Sequence, residues 1–131
     1  MPAVLDRKLA EPLIVIVDDD ASVRHAIERL LKSFGHDVAG YDSVKQYLRS
    51  KNLTKTIALI LDVKMPGLTG LDLQNIIRGL HASIPIIFIT AHPNEDARDQ
   101  ALRLGAIGFL EKPFDDQALI ALLSKVLEQS E

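Results

Sequence analysis

Three consecutive carboxylates, Asp18, Asp19 and Asp20, follow the apolar run Leu13–Val17, and a fourth, Asp62, follows the apolar run at 57–61. Two further apolar runs end in polar groups: residues 86–89 lead into Thr90, and residues 107–110 lead past Glu111 into Lys112 and Pro113. If these runs are strands of an open parallel sheet, all of these groups fall at its carboxyl edge, where ligands bind. Carboxylates gathered there with one hydroxyl and one ammonium suit a divalent cation and a phosphoryl group.

Two carboxylates about 4 Å apart repel by roughly 4 kcal/mol at an effective dielectric near 20. Acids converging on one point therefore raise one another's pKa unless a positive group arrives. A hard divalent cation with oxygen ligands removes that conflict. With no His or Cys pairing at this edge, magnesium is favoured over zinc, with manganese as the alternative. A carboxylate beside such an ion can also act as a nucleophile and form an aspartyl phosphate. Asp62, alone on a central strand, is the candidate. Phosphoryl transfer needs the charge on the equatorial oxygens neutralised. The cation can cover one oxygen, Lys112 a second, and backbone amides with the Thr90 hydroxyl a third.

Taken singly, each residue has an ordinary structural reading. Asp18 to Asp20 can cap a helix and compensate its dipole, and Asp62 can be a turn residue. Thr90 can be a helix cap and Lys112 a solvated lysine. Their common edge is what argues for a site. His25, His36 and His81 show no ligand spacing and read as surface residues, whereas His92 lies close to Thr90. Tyr41 and Tyr47 read as packing residues.

The elements that must position these groups alternate, strand then helix, five times. After the first strand, Val23, Ala26, Ile27, Leu30, Leu31 and Phe34 fall on one helical stripe, with Arg24, Glu28, Arg29 and Lys32 opposite and Gly35 as a left-handed stop. Val38–Tyr41 is the weakest strand, an edge interrupted by Gly40. Ser43 and Gln46 stand at capping-box spacing before a short helix with Val44, Tyr47 and Leu48. The third strand spans 57–61. Thr69 and Asp72 form a second capping-box pair, opening a helix whose inward stripe is Leu73, Ile76, Ile77 and Leu80. The fourth strand spans 84–89, with Pro85 tolerable only near its start. A fourth helix over 95–104 has a thin apolar face of Ala97, Ala101 and Leu104. The fifth strand spans 107–110, and Asp115 opens a last helix with Leu119, Leu122, Leu123 and Val126 inward. Five such units cannot close an eight-stranded barrel. Right-handed crossovers give a doubly wound five-stranded parallel sheet with helices on both faces, and the order 2-1-3-4-5 sets strands 1 and 3 side by side. That adjacency brings Asp18 and Asp19 across from Asp62.

At 131 residues the chain is long enough for one core without staples. The absence of cysteine removes disulfides and thiolate metal sites and suits a reducing cytoplasm. A net charge of -3 and 5% aromatic residues argue against this segment binding nucleic acid. No apolar run approaches the roughly 20 residues of a membrane span, and the first residues lack signal-peptide character. A cytoplasmic protein is expected.

Four stretches in order, Ile-Val-Asp-Asp-Asp at 16–20, Leu-Asp-Val-Lys-Met-Pro-Gly-Leu-Thr-Gly at 61–70, Phe-Ile-Thr-Ala at 88–91 and Gly-Phe-Leu-Glu-Lys-Pro-Phe at 108–114, resemble the receiver domain of bacterial two-component response regulators. The detail of the third and fourth stretches resembles FixJ-like receivers, often joined to a LuxR-type helix-turn-helix. Residues 1–12, with Asp6-Arg7-Lys8 and Glu11-Pro12, read as a polar N-terminal arm; the resemblance begins at Leu13 and implies 13–131 as the receiver domain, with no output domain expected within the chain. It implies that Asp62 accepts a phosphoryl group from a histidine kinase or phosphotransfer protein, and that the chain is a regulatory switch, not an enzyme, beyond self-phosphorylation and autodephosphorylation. Asp19 and Asp62 would bind magnesium directly, with the backbone carbonyl of Lys64, and Asp18 mainly through water. Thr90 would swing toward the phosphoryl group, Lys112 would pair with it, and Phe109 would rotate to follow Thr90. The Lys112–Pro113 bond would be cis. The switching face would be the fourth helix, fifth strand and fifth helix, controlling an output partner or domain and offering a homodimer surface. Phe109 stands where many relatives carry tyrosine, and Lys64 and His92 stand at positions that tune phosphoryl lifetime.

Two other readings stay open. Asp18-x-Asp20 resembles the motif of haloacid-dehalogenase phosphohydrolases, with Asp18 as nucleophile and Asp20 as acid/base, which leaves Asp62 and Met65-Pro66-Gly67 without a role. A flavodoxin-like binding module would need a phosphate-cradling Gly-rich loop after the first strand, and none is present.

Overall fold

In the computed structural model, which describes residues 12–129, the apolar runs form strands β1 (Leu13–Val17), β2 (Val38–Tyr41), β3 (Thr56–Asp62), β4 (Ile86–Thr90) and β5 (Gly108–Glu111). All pair in parallel, in the expected order β2-β1-β3-β4-β5. Between and after them come α1 (Ala21–Ser33), α2 (Val44–Ser50), α3 (Gly70–Gly79), α4 (Glu95–Arg103) and α5 (Asp116–Gln129). The expected N-terminal arm, apart from Pro12, lies outside the described residues.

Side chains alternate across each strand, and the two resulting faces bury separate cores. Val15, Val17, Leu59, Leu61 and Phe88 pack against Val44 and Tyr47 of α2, Leu73 and Ile77 of α3 and Ala101 of α4. Ile14, Ile16, Ile60, Ile87 and Ile89 pack against Ile27 and Leu31 of α1 and Leu119, Leu123 and Val126 of α5. The central strands, covered on both faces, are the most apolar segments for that reason.

Local chemistry sets the boundaries. Thr69 and Asp72 form the reciprocal capping box expected at α3. At α2 the box closes differently: Ser43 accepts from the Gln46 amide at 3.1 Å, while the Gln46 carboxamide reaches the Asp42 amide at 2.8 Å. Strand β4 begins at Ile86 and not at residue 84, because Pro85 has no N–H to give the ladder; its carbonyl still accepts from Leu59 at 2.9 Å. Strand β3 is longer than expected and carries Asp62 within it, paired with Ile89. Strand β5 starts one residue late, leaving Ile107 36% exposed.

Three residues expected on buried stripes are exposed. Phe34 and Leu80 are the C-caps of α1 and α3, and the chain leaves the helix there, so helical spacing no longer predicts their direction. Ala26 sits at the rim of a groove beside Val23, Ile27 and Leu30. Conversely, Arg24, Glu28 and His36 are half-buried, and Gln74 on α3 is buried.

Candidate functional site

The carboxyl ends of β1 and β3 lie side by side, with Val17 paired to Leu61. Asp18 and Asp62 are therefore adjacent, and both are buried; Asp19 is exposed. One carboxylate oxygen from each of Asp18, Asp19 and Asp62 falls within 4.8 Å of the other two. That spacing, with three anionic oxygen donors and no sulfur or imidazole, fits a hard divalent cation.

Lys112 enters from the loop after β5. Its main-chain amide donates to the Thr90 carbonyl at 2.7 Å, and the Lys112–Pro113 bond is cis, as expected. Its Nζ donates to Asp18 Oδ2 at 2.7 Å and to Asp62 Oδ2 at 3.4 Å. Burial alone would lower the ammonium's pKa, but the hydrogen bond and charge of Asp18, helped by Asp62, outweigh it and the value is raised. Lys112 is thus a firm cation.

Asp18 and Asp62 differ in how they are held. Asp18 Oδ1 accepts from the Asp20 amide at 2.9 Å and Oδ2 takes the short Lys112 contact, so both oxygens are engaged. Asp62 has only long contacts, Oδ1 to the Lys64 amide and Oδ2 to Lys112, both at 3.4 Å. Its pKa is raised to about 6, by burial first and the Asp18 charge second, with Lys112 pulling the other way. At neutral pH it is a carboxylate with little to satisfy it.

Thr90 ends β4 and is buried, its hydroxyl oxygen accepting from the His92 amide at 3.0 Å. The hydroxyl proton remains available for another acceptor. Phe109 pairs with Phe88 across β4 and β5, ring centroids 6.0 Å apart, and lines a pocket with Pro93, Asn94 and Arg98. Lys64 and His92 are exposed and border a pocket with Thr69 and Asn94.

Two features of the site are not evident from its motifs. Gly70, the first residue of α3, lies against the Asp62 main chain: a Cβ there would strike the Asp62 carbonyl. Arg24 of α1 donates from Nη1 to the Asp18 carbonyl at 2.8 Å. The first is a close approach of helix to strand and the second of a helix to the turn before it, and spacing along one helix reveals neither.

The hydrolase reading does not stand. Asp20, its acid/base, is the N-cap of α1, accepting from the Ser22 and Val23 amides, and Asp18, its nucleophile, has both oxygens occupied.

Residues 14–124 match the response regulator receiver domain family. Nodulation protein W of Bradyrhizobium diazoefficiens is 41% identical over 108 residues, covering 82% of this chain and 48% of that protein. Transcriptional regulatory protein FixJ of the same organism is 34% identical over 118 residues, covering 90% of this chain and 58% of that protein. The crystal structure of a response regulator receiver protein from Burkholderia phymatum superposes with a TM-score of 0.78 at 41% identity, covering 90% of this chain and 96% of that one. The chain spans about half the length of the curated relatives it matches.

Proposed function

The chain belongs to the response regulator receiver domain family, and from that membership we propose that it is a phosphoacceptor switch in which Asp62 takes a phosphoryl group from a phosphohistidine donor. Asp62 carries the reading because it is the buried carboxylate whose two oxygens have only 3.4 Å contacts, next to one whose oxygens are taken. Asp62 forms the new bond to phosphorus as the bond from phosphorus to the donor's imidazole nitrogen breaks, and the imidazole leaves. The Lys112 ammonium, already beside Asp62, shifts from Asp18 to the incoming phosphoryl oxygens. The free proton of the Thr90 hydroxyl is donated to another, and Phe109 follows Thr90 inward.

Asp19 and Asp62 would hold a magnesium ion, with the Lys64 carbonyl as a third protein ligand and Asp18 acting mainly through water; manganese would substitute. When bound, the ion supplies positive charge to a phosphoryl oxygen. The donor is a sensor histidine kinase or phosphotransfer protein. The output is proposed to be transcriptional, as in the relative named transcriptional regulatory protein FixJ, through a partner or segment that reads the face formed by α4, β5 and α5. Residues 13–131 would form this unit, acting in the cytoplasm; among the described residues no helix is long and apolar enough to cross a membrane.

The test is incubation with magnesium and acetyl phosphate, followed by intact mass measurement. A single adduct of one phosphoryl group is expected, abolished by Asp62→Ala and only weakened by Asp18→Ala. Multiple turnover of small phosphoesters that is lost in Asp18→Ala would refute the proposal.

A further inference from the structure

Each polar atom of Asp18 has a partner. Its N–H donates to the Tyr41 carbonyl at 3.1 Å, its two carboxylate oxygens accept from Asp20 and Lys112, and its carbonyl accepts from Arg24 Nη1 at 2.8 Å. Two of these ties run to β2 or across it. Tyr41 ends that strand, and Arg24 and Glu28 of α1 lie over its neighbour Gly40. A Cβ at Gly40 would collide with Glu28 Oε1 and stand 3.0 Å from both Cγ and Cδ of Arg24. The missing side chain that makes β2 a poor strand by sequence is what leaves space for the arginine stem.

We infer that Arg24, seated on Gly40, is a positioning residue that fixes the main chain between β1 and α1, and so the spacing of Asp18 and Asp19 against Asp62. This rests on the magnesium-assisted phosphoacceptor reading proposed above. The guanidinium gives the Asp18 carbonyl a charge-assisted hydrogen bond and, among the described residues, makes no hydrogen bond to the carboxylates of Asp18, Asp19 or Asp62. It acts through the turn. Asp19, which has no hydrogen bond of its own among those described, depends on that turn for its place.

Deleting Arg24 outright would mix opposed effects. A loosened turn weakens cation binding, whereas loss of a nearby positive charge strengthens it. Charge-preserving variants separate them. Gly40→Val presses on the arginine stem and on the Glu28 carboxylate, keeps both charges and favours the extended strand. Arg24→Lys keeps the charge and loses the planar fork.

The experiment is calorimetric titration of the full chain with magnesium, paired with urea unfolding of every variant. Wild type is expected to bind magnesium, and both variants to bind about tenfold more weakly, the usual cost of losing a group behind the ligands. Affinity should fall out of step with stability, most clearly in Gly40→Val. Wild-type affinity in Arg24→Lys or in folded Gly40→Val overturns the inference alone, as does a loss that merely tracks the unfolding midpoint. If Gly40→Val does not fold, Arg24→Lys decides. A wild type that binds no magnesium and takes no phosphoryl group from acetyl phosphate overturns the parent reading instead.

Discussion

Asp62 carries a carboxyl held near pKa 6, raised by burial and by Asp18, so folding favours its neutral form. The stability this gives is fully present below the unfolded value near 3.8 and is lost as pH rises through about 6. Without a metal, ionised Asp62 therefore costs the folded protein about 3 kcal/mol at alkaline pH, at 1.36 kcal/mol per unit. Asp62→Asn in chelator should be more stable than wild type by about 2–3 kcal/mol at about pH 8, and the gap should close near pH 4. Magnesium should narrow it from the wild-type side. Urea unfolding at the two pH values checks this, and an equal midpoint at pH 8 contradicts it. Asp18, Asp19, Asp62 and Lys112 are legible in the sequence because each follows an apolar run, which fixes its edge of the sheet. Arg24 is not, because periodicity assigns it to the face opposite Ile27, and only a glycine on a different element opens room for it.

Helix α4 buries Ala101 fully and Ala97 and Leu104 in part, a thin anchor for an element expected to move. One polar tie supplements it: Gln74 Nε2 on α3 donates to the Ala101 carbonyl at 3.0 Å. The Gln74 Oε1 is buried with no hydrogen-bond partner. Replacing such an amide by an apolar side chain of similar size removes the desolvation cost along with the bond. Gln74→Leu should therefore be as stable as wild type or up to about 1 kcal/mol more stable. Amide exchange across α4 should nonetheless become faster, because the tie from α3 is gone. Slower exchange in α4, or a loss above about 2 kcal/mol, would contradict this account of Gln74. The element pattern is legible almost throughout, since strands and helical stripes differ in period. What periodicity cannot show is where a helix stops: Phe34 and Leu80 keep the spacing but lie on caps. Nor does it show a buried polar contact such as Gln74 to Ala101, which joins residues from different helices.

The sheet order is the part of the whole molecule that makes the site, because it seats β1 against β3 and β4 against β5. It follows from five alternating units and right-handed crossovers, so it is legible from the sequence as a topology. The spacing of the carboxylates is not, because it depends on close approaches such as Gly70 against Asp62. On the proposed function, phosphorylation would add contacts that favour one arrangement of α4, β5 and α5 and so shift a two-state equilibrium. We propose that this face can also pair two copies of the chain; with magnesium and beryllofluoride, a phosphoryl mimic, sedimentation velocity is then expected to show wild type moving from monomer to dimer and Asp62→Ala staying monomeric. A wild type that stays monomeric contradicts dimerisation through this face. The proposed switch requires Asp62 to be the acceptor. Borohydride reduces an aspartyl phosphate to homoserine, which peptide mass analysis locates. After loading with magnesium and acetyl phosphate, homoserine is predicted at position 62; homoserine at 18 or 19, or at none, would contradict the account.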